Sequence, residues 1–472
     1  MPTVRTGRLV ATALVGIGVW LLPVPAGVEP GAWHLLAIFV ATIAGIILRP
    51  LPMGAVALVA TGVAVLSRTL TIEEATAGFG APVVWLVVAA FFIATTFIHT
   101  GLGMRIAYHF MRVLGKHTLG LAYGFVATDL VLAPLIPSNT ARAGGVIFPI
   151  LQSLCASLRA DAPGDAPRDA AGDVAGFLTF TAYQATCVTS AMFLTAMVAN
   201  PLAVELAAQQ GIEITWTRWA LAASVPGLVS LAVVPLLIFY LYPVKTRETP
   251  EAPELARRHL REMGPMARNE WILLCVFALL LSLWIFGSTL GVATTTTAIV
   301  GVGALLVTGA LPWEKVLREK AAWDTLIWFA VLVMMASQLG ERGLVDWFSE
   351  NVASVIGGES WLPAFLGLSL IYFYSHYFFA SNTAHVSAMY APFLVVALAV
   401  GTPPLFAALV LGYFSNLFAS MTHYGTAPAP IFFGSGNVAL GTWWKLGALI
   451  SVVNIAIWLG IGSLWWKALG IL

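Results

Sequence analysis

Long apolar stretches separated by short polar loops follow one another along almost the entire chain. A helix needs about 20 apolar residues to cross a bilayer, and this pattern predicts about eleven such spans. The predicted spans cover residues 8–25, 31–48, 52–68, 82–103, 174–199, 217–242, 269–289, 291–309, 322–340, 403–421 and 441–468. The sequence therefore predicts an all-α polytopic membrane protein, because helices satisfy their backbone polar groups within the hydrocarbon.

Two further apolar segments, 119–154 and 361–397, are interrupted in the middle by polar residues. The first is broken at Pro137-Ser138-Asn139-Thr140 and the second at Ser381-Asn382-Thr383. Each half looks too short to cross the membrane alone, so both segments are predicted to be re-entrant hairpins with the polar residues at the tip. Irregular backbone at this depth is tolerated only where protein or a water-filled cavity satisfies it.

The two polar interruptions are nearly identical. Ser138-Asn139-Thr140-Ala141-Arg142 in the first half matches Ser381-Asn382-Thr383-Ala384-His385 in the second. A second matched pair runs from Thr195 to Pro201 and from Thr422 to Pro428, and the prolines there predict broken helices. Polar segments repeated in an apolar chain predict inverted repeats whose copies meet around one substrate site. Cationic side chains in a membrane often mark such a path, here one for a small anion.

Composition agrees with a membrane protein and excludes other classes. Of the 472 residues, 59% are hydrophobic and only 10% are charged, and the mean hydropathy is +0.89. The formal net charge of +1 gives no field that would recruit nucleic acid. The three cysteines are scattered, without metal-ligand spacing, and are predicted to be inert packing residues. Neither a metal nor a cofactor is expected.

Basic residues in the loops predict the orientation. With alternating spans they fall on one side, which the positive-inside rule makes cytoplasmic. These residues are Arg5, Arg8, Arg49, Arg105, Arg112, Lys116, Lys245, Arg247, Arg257, Arg258, Arg261, Arg268, Lys315, Arg318 and Lys320. The N-terminus is then cytoplasmic, the C-terminus is external, and the two hairpins enter from opposite sides. The expected location is the cell (inner or plasma) membrane, and 159–173 is predicted to be a polar loop.

Three segments resemble a known family. PSNTARAGGVIFPI (137–150), HYFFASNTAHVSAMY (376–390) and THYGTAPAPIFFGSGNV (422–438) resemble the divalent anion:sodium symporter (DASS) family. Within it, they look most like the citrate/succinate and 2-oxoglutarate/malate translocators. The resemblance covers nearly the whole chain. It implies a homodimer in which each protomer has a scaffold domain and a transport domain that moves like an elevator.

The resemblance also implies a division of the chain. Scaffold helices are expected at 1–105 and at 216–345, the latter with a cytoplasmic loop at 244–268. The transport domain is expected to combine 106–215 with 346–440, each containing one hairpin and one broken helix. Residues 441–472 are expected to form a C-terminal helix.

The resemblance further implies that residues at both tips bind the carboxylates of the substrate. These residues are Ser138, Asn139, Thr140, Ser381, Asn382 and Thr383. Hydroxyls, amides and backbone N–H groups at a helix start all donate to carboxylate oxygens, so two tips suit a substrate with two carboxylates. Four residues of the predicted broken helices are expected to close the cavity. They are Thr195, Asn200, Thr422 and Pro428.

The chain departs from the sodium-coupled branch of the family, in which small or hydroxylic residues follow each tip and sodium sits beside it. Arg142 and His385 occupy those positions here, and their charges can stand in for sodium. A fixed cation cannot leave with the substrate, so the empty carrier would move an uncompensated charge through low dielectric. The expected function is therefore sodium-independent, obligatory exchange of C4/C5 dicarboxylates such as malate, succinate, fumarate and 2-oxoglutarate.

Other interpretations stay open from the sequence. Each Ser-Asn-Thr could be a helix N-cap without a ligand, Arg142 could pair with a helix C-terminus, and His385 could be a packing residue. A sodium- or proton-coupled di/tricarboxylate symporter is the main alternative. A channel would need a continuous polar pore lining, of which the spans show little. An enzyme is not expected, since the sequence has no HExxH motif and Asp129 and Asp173 lie near predicted span ends or loops.

Overall fold

A computed structural model describes residues 5–160, 168–355 and 360–472, and within these ranges the chain is helical. The α-helices are α1 (Thr6–Leu21), α2 (Pro30–Leu48), α3 (Met53–Leu66), α4 (Ile72–Thr76), α5 (Pro82–Thr100), α6 (Leu102–Leu114), α7 (Thr118–Leu132), α8 (Asn139–Arg142), α9 (Phe148–Ala160), α10 (Arg168–Met192), α11 (Ala199–Ala208), α12 (Trp216–Leu241), α13 (Glu251–Met263), α14 (Arg268–Leu290), α15 (Thr294–Val307), α16 (Trp313–Arg318), α17 (Lys320–Glu341), α18 (Leu344–Val355), α19 (Trp361–Ser375), α20 (Asn382–His385), α21 (Ala391–Ala399), α22 (Pro404–Leu417), α23 (Pro428–Phe433), α24 (Leu440–Ala456) and α25 (Gly462–Ala468). Short 3-10 turns cover Ala77–Gly80, Leu194–Ala196, His376–Phe378 and Phe418–Met421, and π turns cover Ala143–Ile147, Val386–Tyr390 and Ile457–Ile461.

The all-α polytopic fold class is confirmed. In the described ranges, eight helical stretches are long and apolar enough to cross a membrane, and four shorter apolar helices of 10–17 residues accompany them. Several predicted spans are those shorter helices: α1, α3 and α15 have 16, 14 and 14 residues. The same ranges contain no β-strand, only an isolated backbone bridge between His117 and Glu248.

The chain divides into two compact units that interleave along the sequence. The first unit comprises 1–89, 199–214 and 317–412, and the second comprises 90–198, 215–316 and 413–472. The expected scaffold and transport regions also combine segments of both repeats, and they stay a prediction. Helices α5 and α22 each contribute residues to both units.

In the first unit, α17 is the central helix. It packs on α2, α3 and the 3-10 turn that follows α4, and its stretch from Trp328 to Met335 is buried. Gly78 in that turn allows the backbones to meet, since a Cβ at this position would lie 2.0 Å from the Ala330 carbonyl oxygen. Small residues permit such close approach of helices in membranes.

In the second unit, buried tryptophans fix α12 against its neighbours. Trp219 in α12 donates to the Ala191 carbonyl at 2.9 Å, and Trp466 in α25 donates to the Ala222 carbonyl at 2.8 Å. Trp458 donates to Ser230 Oγ at 3.1 Å. Each ring therefore buries a large apolar area while its N–H is satisfied, which lets tryptophan occupy an apolar core.

The helix breaks predicted at the two polar segments are confirmed, but one predicted arm length is wrong. In the second hairpin, α20, the π turn and α21 run without interruption from Asn382 to Ala399, a stretch of 18 residues that is long and apolar enough to cross a membrane. The prediction that each half is too short therefore fails for this arm. The physical reason is that Ser381 caps the helix, so the polar Asn-Thr pair belongs to the second arm and lengthens it.

Two segments predicted as loops contain helix. α9 extends to Ala160 and α10 begins at Arg168, inside the predicted loop 159–173, while residues 161–167 lie outside the described ranges. The predicted cytoplasmic loop 244–268 contains α13, which packs on α6 and buries Ala252, Leu255 and Ala256. A charged segment with one apolar face folds as a helix when a neighbouring helix covers that face.

Candidate functional site

Both hairpin tips begin a helix in the same way. Ser138 has an extended backbone and its Oγ accepts a hydrogen bond from the Ala141 N–H at 3.1 Å. In the other repeat, Ser381 Oγ accepts from the Ala384 N–H at 3.4 Å. Each serine is thus an N-cap, and a helix restarts at the asparagine that follows it. The first N–H groups of a helix have no partner within that helix, so each tip presents backbone donors beside polar side chains.

A π turn follows each tip at the same position. It covers Ala143–Ile147 in the first repeat and Val386–Tyr390 in the second, directly after Arg142 and His385. The two five-residue segments have different sequences, so a shared architecture, and not shared residues, accounts for the match. Single π turns within α-helices are frequent at functional sites.

The first tip contacts both broken helices of the second unit. Asn139 Nδ2 donates to Thr426 Oγ1 at 3.2 Å and lies 3.4 Å from Met197 Sδ. The Thr140 hydroxyl is 3.5 Å from Asn139 Oδ1. The side chains of Ser138, Asn139 and Thr140 are half-buried. These polar groups are therefore held in place by protein contacts while part of their surface remains accessible.

The two predicted helix breaks are also present. α10 ends at Met192 and α11 begins at Ala199, with Met197 extended between them. α22 ends at Leu417 and α23 begins at Pro428, with Thr422 extended. Proline at the first position of α23 suits its fixed φ and missing N–H.

The four residues expected to close the cavity lie in different surroundings. Thr195 is buried, donates to the Pro134 carbonyl at 2.7 Å and accepts from Trp216 Nε1 at 3.2 Å, so its hydroxyl supports the hairpin. Thr422 is buried, and its carbonyl accepts from the Tyr183 hydroxyl at 3.3 Å. Pro428 is buried at the start of α23, and Asn200 is buried near the start of α11.

Each helix that follows a break packs on the hairpin of the other repeat. In the second unit, α23 contacts the π turn after Arg142, and Phe432 meets Phe148 edge to face at 5.7 Å. In the first unit, α11 contacts the π turn after His385. The second unit thus brings together Ser138, Asn139, Thr140, Arg142, Thr195, Thr422 and Pro428, and the first unit brings together Asn200, Ser381, Asn382, Thr383 and His385.

The surroundings of Arg142 differ from the sequence expectation of an uncompensated cation. The side chain is fully buried, and its Nε donates to Asp129 Oδ1 at 3.0 Å. Nη1 donates to the carbonyls of Ile136 at 2.7 Å and Ala196 at 2.6 Å, while Nη2 donates to Ser190 Oγ at 2.8 Å. Asp129 lies in the last turn of α7, near a helix end as predicted, and its side chain is buried. The argument that Arg142 strands a charge in the empty carrier is therefore wrong.

His385 has a different environment. It is fully buried, its Nε2 lies 2.9 Å from Ser375 Oγ, and its ring centroid is 4.7 Å from the rings of both Tyr372 and Phe379. The His376 ring lies at 5.4 Å. The second tip thus places an imidazole among aromatic rings at the position that carries the guanidinium in the first.

From the sequence, Asp129 is noted only for its place near a span end, and neither its pairing with Arg142 nor the carbonyls around the guanidinium is predicted. One signal was available, since Asp129 precedes Arg142 by 13 residues in apolar sequence, and an acidic residue in such a segment is itself unusual. The carbonyls of Ile136 and Ala196 had no sequence signal beyond the breaks in which they lie.

Comparison with known proteins identifies the family. The sequence matches the family described as "sodium:sulfate symporter transmembrane region" over residues 3–472. It is 52% identical over 469 residues to the putative malate transporter YflS of Bacillus subtilis (strain 168), covering 99% of this chain and 97% of that protein. It is 50% identical over 466 residues to the chloroplastic dicarboxylate transporter 1 of Spinacia oleracea, covering 98% of this chain and 81% of that protein.

A solved structure has the same fold at low sequence identity. The chain resembles MtrF of Neisseria gonorrhoeae with a TM-score of 0.57 and 14% identity, covering 97% of each chain. At that identity the likeness concerns the fold alone. The match across residues 3–472 and the two identities of 50% or more show that the chain belongs to the sodium:sulfate symporter family, the DASS family that its tip sequences resemble, and is a membrane transporter and not an enzyme.

Proposed function

We propose that this protein is a sodium-independent exchanger of C4/C5 dicarboxylates such as malate, succinate, fumarate and 2-oxoglutarate. Similar proteins are named as malate and dicarboxylate transporters, which supports carboxylate dianions as the substrate class. In this proposal, Ser138, Asn139 and Thr140 bind one carboxylate and Ser381, Asn382 and Thr383 bind the other. Thr195, Asn200, Thr422 and Pro428 complete the substrate-binding cavity.

The chemistry of the tips supports this assignment. Each serine oxygen accepts its capping bond, so its hydroxyl hydrogen can still donate to a carboxylate oxygen. The asparagine amide and the N–H groups at the helix start add further donors, and the helix dipole favours an anion at that end. Hydrogen bonds to an ionised group are shorter and stronger than neutral ones.

The observation that carries sodium independence is the position of the Arg142 guanidinium. Its Nη1 donates to the carbonyls of Ile136 and Ala196 at 2.7 and 2.6 Å, and both carbonyls lie where helices are broken. Carbonyls of unwound helix in transporters are typical ligands of sodium, and here N–H groups of the chain itself occupy them. We therefore expect no sodium step at the first tip, and we assign His385 the equivalent position at the second.

Exchange follows from the energetics of moving a dianion without a cation. Each elementary charge that crosses a potential of 100 mV changes the free energy by about 2.3 kcal/mol, so a lone dianion entering a negative interior would face about 4.6 kcal/mol per 100 mV. Exchange of one dianion for another moves no net charge. Exchange is therefore expected from the charge of the substrate and not from an uncompensated Arg142, because Asp129 balances the charge of Arg142.

The proposal includes the assembly and movement implied by the DASS resemblance. The protomer would form a homodimer in the cell membrane, with its N-terminus cytoplasmic and its C-terminus external. The segments 106–215 and 346–440 would move against the scaffold segments 1–105 and 216–345 like an elevator. Crosslinking of the purified protein in bilayers would report the dimer independently of transport.

Uptake of labelled malate into proteoliposomes tests the function. Vesicles are loaded with malate, or with sulfate, or left empty, and each set is measured in sodium, potassium and choline. We expect uptake only into malate-loaded vesicles and at equal rates in the three cations. Uptake into empty vesicles that requires an inward sodium gradient would contradict the proposal and favour a sodium-coupled symporter. Faster uptake into empty vesicles at acid external pH would favour a proton-coupled one.

A further inference from the structure

The function proposed above uses the buried carboxylate of Asp129 only as the balancing charge of Arg142 and assigns it no part in substrate transport. Asp129 Oδ1 accepts from Arg142 Nε at 3.0 Å, and Asp129 Oδ2 accepts a hydrogen bond from the Thr189 hydroxyl. The side chains of Arg142 and Asp129 are 0% and 2% exposed. A buried ion pair at this depth is costly to assemble unless its geometry is good and its remaining hydrogen bonds are satisfied, and both partners meet that condition here.

We propose that Asp129 is a positioning residue for transport, which neutralises Arg142 and holds its guanidinium among the carbonyls of the first tip. The inference rests on the proposed function, because it assigns Arg142 a place in the dicarboxylate site. The side chains at the first tip would then carry no net charge before the substrate binds.

The hydrogen bonds of Arg142 hold its guanidinium in a fixed position, so that it does not move to grip the substrate. Arginine has five N–H donors. Four hydrogen bonds are made by Arg142, to Asp129, Ile136, Ala196 and Ser190. At most one N–H remains for another acceptor, so Arg142 has no pair of donors left to hold a substrate carboxylate. Its effect on a dianion is electrostatic, and Asp129 sets the size of that effect.

Removing the charge of Asp129 and removing the charge of Arg142 should have opposite effects on the affinity for the dianion. Asp129→Asn keeps the shape of the side chain but leaves the Arg142 cation uncompensated. The dianion should then bind more tightly, because the positive charge near it is no longer balanced. Arg142→Gln leaves the Asp129 carboxylate uncompensated, so dianion affinity should fall at least tenfold. The double variant Asp129→Asn/Arg142→Gln has neither charge.

The experiment measures the apparent malate affinity and the maximal rate of exchange in the same proteoliposomes, with malate on both sides. We expect the affinity to rise at least threefold in Asp129→Asn, to fall at least tenfold in Arg142→Gln, and to return to within about threefold of the parent value in the double variant. Asp346→Asn, an exposed acid in α18, is the matched control and should leave the affinity unchanged. A structural role alone would lower the maximal rate and would not shift the affinity in opposite directions in the two single variants.

Several outcomes would overturn the inference. An unchanged malate affinity in Asp129→Asn would show that the carboxylate does not set the charge at the first tip. Should Asp129→Asn fail to fold, recovery of folded, exchanging protein in the double variant would support the pairing, and failure of both would overturn it. Failure of the proposed function is distinguishable, since sodium-driven uptake by the parent protein would appear before any variant is compared.

Discussion

The side-chain amide of Asn139 donates a hydrogen bond to Thr426 Oγ1 over 3.2 Å. Asn139 lies at the tip of the first hairpin, whereas Thr426 lies in the break between α22 and α23, in the other half of the sequence. The same amide nitrogen is 3.4 Å from Met197 Sδ, in the break between α10 and α11. One tip therefore contacts both broken helices, and a substrate carboxylate bound there would compete with Thr426 for this donor.

Removing the tip amides should weaken substrate binding without unfolding the protein. A hydrogen bond to a charged group contributes about 1.5–3 kcal/mol, so Asn139→Ala and Asn382→Ala should each lower the apparent malate affinity by about tenfold to about a hundredfold. The concentration dependence of malate exchange in proteoliposomes measures this. Asn351→Ala is the control, since that exposed amide donates to the Trp347 carbonyl within α18. Parent-like affinity in both tip variants would refute the binding assignment.

The sequence predicted the helix breaks because their causes are local. A polar Ser-Asn-Thr in apolar sequence favours the start of a new helix, and the second copy at Ser381 predicts the same break in the other repeat. A proline within a span can also break a helix, although α12 continues through Pro226 and Pro235. The same logic predicted the chemistry of the tips, since an N-cap serine needs only the three residues that follow it.

The partner of Arg142 could not be predicted from local sequence. The pairing with Asp129 depends on the turn of the chain between α7 and α8, which brings the two side chains together, and on the breaks that free the carbonyls of Ile136 and Ala196. Likewise, the sequence of α13 predicts a charged loop, whereas the structure shows a helix whose apolar face is covered by α6. Both the pairing of Asp129 with Arg142 and the helical state of α13 depend on tertiary contacts, which the hydropathy pattern does not predict.

The ion pair between Arg105 and Glu270 should make a large contribution to stability. Arg105 Nε lies 2.7 Å from Glu270 Oε1, and the side chains are 8% and 3% exposed. Glu270 also accepts from the Ala267 N–H at 2.8 Å at the start of α14. Removing one partner of a buried pair costs about 3–5 kcal/mol, so Glu270→Gln should clearly lower the unfolding temperature in detergent.

An exposed pair in the same unit provides the control for Glu270. Glu254 lies 2.7 Å from Arg257, but their side chains are 68% and 48% exposed. Exposed pairs contribute about 0–1 kcal/mol, so Glu254→Gln should change the unfolding temperature little. Equal shifts in the two variants would mean that burial does not determine the contribution of the Arg105 pair.

Two glycines in one short turn should respond differently to alanine. A Cβ at Gly78 would lie 2.0 Å from the Ala330 carbonyl oxygen and 2.8 Å from its carbon, whereas nothing lies within 4 Å of a Cβ at Gly80. Backbone atoms of α17 cannot yield without moving the helix, so Gly78→Ala should reduce both expression and unfolding temperature. Gly80→Ala should leave them unchanged or slightly raised, because alanine restricts the unfolded chain. Similar losses in both variants would contradict the close contact.

The capping serines allow substrate binding to be separated from helix capping. Asn and Asp are both good N-caps, so Ser138→Asn and Ser138→Asp should each keep the bond from the Ala141 N–H, and the same holds at Ser381. Capping alone predicts that Asp is at least as good as Asn, because a carboxylate is favoured at a helix N-terminus. A tip that binds a dianion predicts the reverse for transport, since the new carboxylate would repel the substrate.

The expected difference is large because the charges would be close. Two like charges 4 Å apart repel with about 4 kcal/mol at the effective dielectric of a protein surface. The Asp variants should therefore bind malate at least tenfold more weakly than the matching Asn variants, while unfolding temperatures within each pair stay similar. The test is the malate concentration dependence of exchange beside thermal unfolding of the same preparations. If the Asp variants exchange malate with the same apparent affinity as the Asn variants, Ser138 and Ser381 act only as helix caps. The substrate carboxylates would then bind elsewhere.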